Sequence, residues 1–185
     1  MNVNAEELLS RIAAEDRQAF QQFYQLFAEK VFNTALSYTQ NLQDAEEVTQ
    51  DVFTSIYQAA ANFKAKAAVN TWVYRITVNK SINFIKKKKR LTLFQLNYTQ
   101  KEQTDFEHPA LILENKENAK LLFQFIESLA NKQKTAFILS FVEDLPRQEV
   151  ANIMGISLKA VESLLQRAKK NLRSKLEKSY PNRRI

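Results

Sequence analysis

Polar side chains near the C-terminus recur at mostly three- and four-residue intervals: Ser157, Lys159, Glu162, Ser163, Gln166, Arg167 and Lys170. On a helix that spacing gathers them on one side, and Val161, Leu164, Leu165, Ala168 and Leu172 take the other. Lys, Arg, Gln and Ser are the side chains that reach base edges and phosphates in a DNA major groove. Glu162 cannot hold a phosphate, but its carboxylate can accept from a cytosine amine. Upstream lie the remaining parts of a helix-turn-helix: Pro146, a short apolar-faced stretch Arg147–Met154, and a turn at Gly155, Ile156 and Ser157.

A second set lies between residues 63 and 90. Phe63, Trp72, Tyr74 and Phe84 interleave with Lys64, Lys66, Arg75, Lys80 and a basic run that begins Lys86-Lys87. Asn79 and Asn83 are four apart, so they share one helical face. Amides, cations and aromatic rings together suit unstacked single-stranded bases. A third set is acidic. Asp44, Glu47, Gln50, Asp51 and Thr54 fall on one arc of a helix, opposite Ala45, Val48, Val52, Phe53, Ile56 and Ala60. Such an arc can dock a basic partner helix. Each pattern taken alone also fits an ordinary helix with a solvated charged face.

Other chemistries are excluded by composition. The 185 residues include no Cys, one His (His108) and one Gly. Disulfides, thiolate metal sites, multi-His centres and glycine-rich phosphate loops are therefore ruled out. No clustered catalytic constellation is visible, so neither an enzyme nor a cofactor is expected. Nor is there an apolar run near the roughly 20 residues of a membrane span, and the acidic N-terminus does not have the order of a signal peptide. The net charge of +7 is unevenly spread. Residues 1–63 carry 3 basic and 9 acidic side chains, and residues 64–90 carry 9 basic and none acidic. Residues 91–150 carry 6 and 9, and residues 151–185 carry 9 and 2. Two cationic surfaces, each preceded by an acidic stretch, point to two contacts on one polyanion.

The elements that must position these residues are helical. Glycine is too scarce for a hairpin-rich fold, and apolar periodicity is helical nearly throughout. Helices are expected over residues 5–13, 17–38 and 44–61, the last opened by an Asp44-x-x-Glu47 capping box. Asn62–Lys66 reads as a loop. A further helix starts near Asn70-Thr71 and runs into the basic block ending at Arg90. The pattern lapses over 91–110, which reads as a linker. Helices at 111–129, 132–143, Pro146–Met154 and 158–176 follow, with Ser157 as a cap. The expected fold is all-α: two small helical domains, 1–90 and 111–185, joined by a flexible linker over 91–110. The second domain is a helix-turn-helix.

At this point the three sets resemble a known family. The chain is similar to the extracytoplasmic-function (ECF) sigma factors, the small two-domain initiation factors of bacterial RNA polymerase. Asp44–Phe53 resembles the segment with which that family binds the clamp of the polymerase largest subunit. Thr71–Asn79 resembles its −10 promoter-melting helix, and Pro146–Leu176 its −35-reading helix-turn-helix. The resemblance implies a non-enzymatic, cytoplasmic factor that directs core RNA polymerase to promoter DNA, restrained by an anti-sigma factor, with no small-molecule substrate. It implies polymerase contacts at Asp44, Glu47, Gln50, Asp51 and Thr54. Contacts to −10 DNA would fall at Lys64, Lys66, Trp72, Arg75, Asn79, Lys80, Asn83, Lys86 and Lys87. The −35 contacts would be the seven residues from Ser157 to Lys170. Asn83 and Lys86 stand where the family often has Asp and Arg, and Glu162 stands at a frequently basic position. The alternative is a conventional helix-turn-helix regulator that acts without being a polymerase subunit.

Overall fold

The first three helices each begin at a side chain that satisfies otherwise unpaired backbone N–H groups. In the computed structural model, which describes residues 4–94 and 116–179, Asn4 caps α1 (Ala5–Ala13) by accepting from Glu6 N–H. Asp16 caps α2 (Arg17–Thr39) through Gln18 and Ala19 N–H. α3 (Leu42–Ala59) is capped by Asn41, whose Oδ1 accepts from Asp44 N–H at 2.9 Å. The expected start at Asp44 is thus corrected. Gln40 adopts a left-handed conformation (φ 53°) that ends α2, and Asn41 is the first extended residue after it. Asp44 therefore lies inside the first turn. A short 3₁₀ turn, Ala60–Asn62, closes α3. After a loop, α4 runs from Val69 to Phe94, past Arg90 and into residues expected to be linker. The rest of that expected linker, 95–110, lies outside the described residues, as does His108.

α1 to α4 enclose one core. Phe23, Leu36, Val48, Val52 and Ile56 are fully buried, joined by Leu8, Leu9 and Ile12 from α1 and by Val69 and Val73 from α4. Burial of side chains of this size stabilises by roughly 1.5–3 kcal/mol each before entropy is subtracted. α4 meets the core with a row of small residues. Thr77 and Ser81 are buried, and their hydroxyls donate to the carbonyls of Val73 and Thr77 on their own helix. That satisfies them without a partner from another helix.

The second unit contains α5 (Lys116–Glu127), α6 (Asn131–Phe137), α7 (Arg147–Met154) and α8 (Leu158–Ser179). The expected helix over 132–143 is divided. After Phe137 the turn widens into a π-helical segment, Ile138–Val142, closed by Glu143 N–H donating to Ile138 O at 3.0 Å. The widened turn coincides with two consecutive, fully buried side chains, Ile138 and Leu139. They pack in a core with Phe123, Ile126, Val150, Val161, Ala168 and Leu172. Among the described residues the fold is all-α, in two units.

Candidate polymerase and nucleic-acid interfaces

α3 separates its two sides as the periodicity requires. Ala45, Val48, Val52 and Ile56 are buried, and Glu47, Gln50, Asp51 and Thr54 are exposed. Thr54 donates to Gln50 O at 2.8 Å, which leaves the hydroxyl oxygen outward as an acceptor. Asp44 differs from these four. Its side chain is 17% exposed, and both carboxylate oxygens accept from Lys88 Nζ, at 2.7 and 2.5 Å. Beside the acidic arc lies an aromatic ledge that the sequence reading did not find. Tyr57 on α3 and Tyr24 on α2 are exposed, with Phe20 edge-on to Tyr57 at 5.4 Å and Tyr24 4.5 Å from Phe53.

On α4, Arg75, Asn79, Asn83 and Lys86 form an exposed line along one side, with Lys87 exposed and Lys80 half-buried next to it. Lys64 and Lys66 are exposed in the loop that leads into the helix. The rings are less available than the interleaving suggested. Trp72 is half-buried, its ring 5.2 Å from Phe63. Tyr74 is buried, with the Lys30 ammonium 5.6 Å from its ring centre. The amides and cations, more than the aromatics, make up this surface.

The helix-turn-helix is built as its residue types require. Gly155 takes a left-handed φ of 64° at the end of α7, and Ile156 N–H donates to Ala151 O at 3.1 Å. Only a residue without Cβ enters that conformation without strain. Ser157 Oγ accepts from Ala160 N–H at the start of α8. Val161, Leu164, Leu165, Ala168 and Leu172 are buried. Lys159, Glu162, Ser163, Gln166, Arg167 and Lys170 are exposed together on the other side. Arg167 donates from Nε to Ser163 O and from Nη2 to Ser163 Oγ, both at 3.2 Å, which orients the guanidinium along the helix. Arg147, at the start of α7, lies 3.8 Å from Glu162 and was not among the expected site residues. Its signal was available: a cation one residue after the proline that opens the helix. Among the described residues there is no cluster of metal-ligating side chains, and no helix long and apolar enough to cross a membrane.

Residues 23–91 match the family Sigma-70 region 2, and residues 120–172 match Sigma-70, region 4. The RNA polymerase sigma factor YlaC of Bacillus subtilis is 25% identical over 91% of this chain and 98% of its own. The ECF RNA polymerase sigma-E factor of Escherichia coli K12 is 25% identical over 92% and 93%. The solved structure of CnrH, in complex with the cytosolic domain of CnrY, matches with a TM-score of 0.67 at 20% identity, over 95% of this chain and 98% of that one. The sigma factor RpoE of Bartonella quintana, in complex with the anti-sigma factor NepR, matches at 0.66 and 20%, over 85% and 96%. At that identity the two structures bear on the fold.

Proposed function

The chain belongs to the ECF sigma factors, which direct core RNA polymerase to promoters, and from that premise we propose how its surfaces divide the work. Glu47, Gln50, Asp51 and Thr54 dock on a basic helical element of polymerase. Arg75, Asn79 and Asn83, with Lys64, Lys66, Lys80, Lys86, Lys87 and the edge of Trp72, hold the melted −10 strand. Ser157, Lys159, Glu162, Ser163, Gln166, Arg167 and Lys170 read the −35 duplex. The observation that carries this reading is the placement of three exposed charged or amide faces, one acidic and two basic. Each lies on a helix whose other side is core, and each falls inside a matched segment.

The physical steps follow from the residue types. Extruding a base costs a few kcal/mol, offset by amide contacts from Asn79 and Asn83 and by lysines on the adjoining phosphates. α8 lies in the major groove with its polar side toward base edges. The protein works as a non-enzymatic, cytoplasmic specificity subunit, with residues 1–90 and 111–185 as its two functional domains. CnrH and RpoE were solved with a CnrY segment and with NepR, which supports a protein regulator of similar type here.

The test is initiation. Purified protein is added to core RNA polymerase, and run-off transcripts are mapped on genomic DNA. Transcripts starting at a shared pair of upstream elements support the reading. Sequence-specific DNA binding without any transcript would instead support a conventional helix-turn-helix regulator.

A further inference from the structure

The acidic face of α3 and the basic end of α4 meet at one point, the pair formed by Asp44 and Lys88 across 44 residues of chain. Along α4, Lys88 continues the inward row Val73, Thr77, Ser81 and Phe84, whereas Lys86 continues the outward line Arg75, Asn79 and Asn83. The inward row is buried or half-buried through Phe84 and Ile85, and every side chain from Lys86 to Leu91 is exposed. The last turns of α4 therefore run beyond the core. They also carry five successive cations, Lys86 to Arg90, so that Lys86 and Arg90 repel each other one turn apart. Asp44 brings a counter-charge to this region from α3. It sits in the first turn of α3, where the helix dipole favours a carboxylate.

We propose that Asp44 and Lys88 form a clasp that holds the basic end of α4 on the N-terminus of α3, and that both are positioning residues for promoter opening. Through the clasp, Lys86 and Lys87 keep a fixed place relative to Asn79 and Asn83 when the −10 strand is engaged. Asp44 then acts through Lys88 and not by touching polymerase. The inference rests on the reading of α4 as the −10 helix.

The test uses holoenzyme reconstituted from core polymerase and three full-length variants: Asp44→Lys, Lys88→Glu and the exchanged pair carrying both. Promoter opening is read by permanganate reactivity, and core affinity by titration. Each single change is expected to lower opening about fivefold, the factor that roughly 1 kcal/mol makes, with core affinity unchanged. The exchanged pair should recover opening to within about twofold. Asp44→Lys adds positive charge, so attraction to DNA alone would raise opening and not lower it. Amide hydrogen exchange over residues 86–91 should quicken in the single variants and slow again in the pair. Asp44→Asn, which keeps the side-chain shape, should show the loss in smaller measure.

Loss of core affinity in Asp44→Lys that the exchange does not restore would make Asp44 a direct polymerase contact and overturn the clasp. Single variants that open promoters normally would overturn it too. If Lys86→Ala/Lys87→Ala leaves opening intact, the underlying −10 reading fails, which is a separate result from failure of the exchange.

Discussion

Arg147 Nη1 lies 3.8 Å from Glu162 Oε1, linking the start of the first helix of the helix-turn-helix to the exposed side of the second. Both side chains are more than half exposed, so the pair contributes less than about 1 kcal/mol to stability. Its consequence lies in recognition. Glu162 has a cation at hand that lessens its repulsion from phosphates, leaving the carboxylate able to accept from a base.

Glu162→Gln is therefore expected to move the preference at one −35 position from C toward A, because an amide pairs with adenine where a carboxylate accepts from cytosine. Selection from a pool randomised over the −35 element reads this directly. An unchanged preference at every position would remove Glu162 from base reading.

Asp51 is exposed in the middle of the acidic arc of α3, away from the core. Asp51→Lys places a cation against a basic partner, and like-charge juxtaposition costs several kcal/mol. Core-polymerase affinity should fall at least about tenfold, with the circular dichroism spectrum unchanged. Undiminished capture by core enzyme would reject this face as the docking site.

Asn79 and Lys86 stand on one line of α4 but should fail in different ways. Asn79→Ala is expected to lower permanganate reactivity mainly on promoters that carry one particular −10 base. Lys86→Ala/Lys87→Ala should weaken opening on all promoters alike and flatten the salt dependence by about 0.7 per lost single-strand phosphate contact. Equal behaviour of the two variants across a promoter panel would mean that Asn79 reads no base.

The features legible in the sequence were the local ones. The helix over 5–13, the turn at Gly155 and the cap at Ser157 each follow from a few neighbouring residues. The polar and apolar sides of α8 follow from helical spacing alone. What escaped depended on packing between distant segments. The Asp44-x-x-Glu47 pattern lies inside α3, because the left-handed Gln40 ends α2 just before Asn41 and leaves Asn41 as the cap. The π turn at Ile138–Val142 has no local marker: it coincides with two adjacent side chains, Ile138 and Leu139, that are both buried, which helical periodicity does not indicate. An aromatic among cations looks the same whether it faces bases or core, so Trp72 and Tyr74 needed α2 and Phe63 in place. Lys88 was one lysine among four until Asp44 was found against it.

Gly155 supports a stability prediction that isolates backbone conformation. A Cβ at this position would meet no atom within 4 Å, so steric clash contributes nothing. What remains is the left-handed φ of 64°, which costs a Cβ-bearing residue about 1 kcal/mol. Gly155→Ala should lower the urea midpoint by an amount equivalent to about 1 kcal/mol, with an unchanged m-value. No shift would show that the turn relaxes out of this conformation.

Asp16 is the described group whose titration is clearly displaced. Its carboxyl is held below the usual 3.8, first by the Ala19 N–H it caps, then by the Arg11 guanidinium at 2.7 Å, with Gln18 N–H adding to both. Because the folded value is depressed, the contribution to stability is fully present above the unfolded value. It is lost as pH falls through the folded one. Asp16→Asn keeps a capping oxygen but loses the charge. The variant should melt below the wild type near neutral pH, and the gap should close as both are acidified below 3.8. Thermal melts at about pH 6 and about pH 2.5 measure it. A gap of the same size at both would mean that the charge on Asp16 contributes nothing and that the cap acts through hydrogen bonding alone.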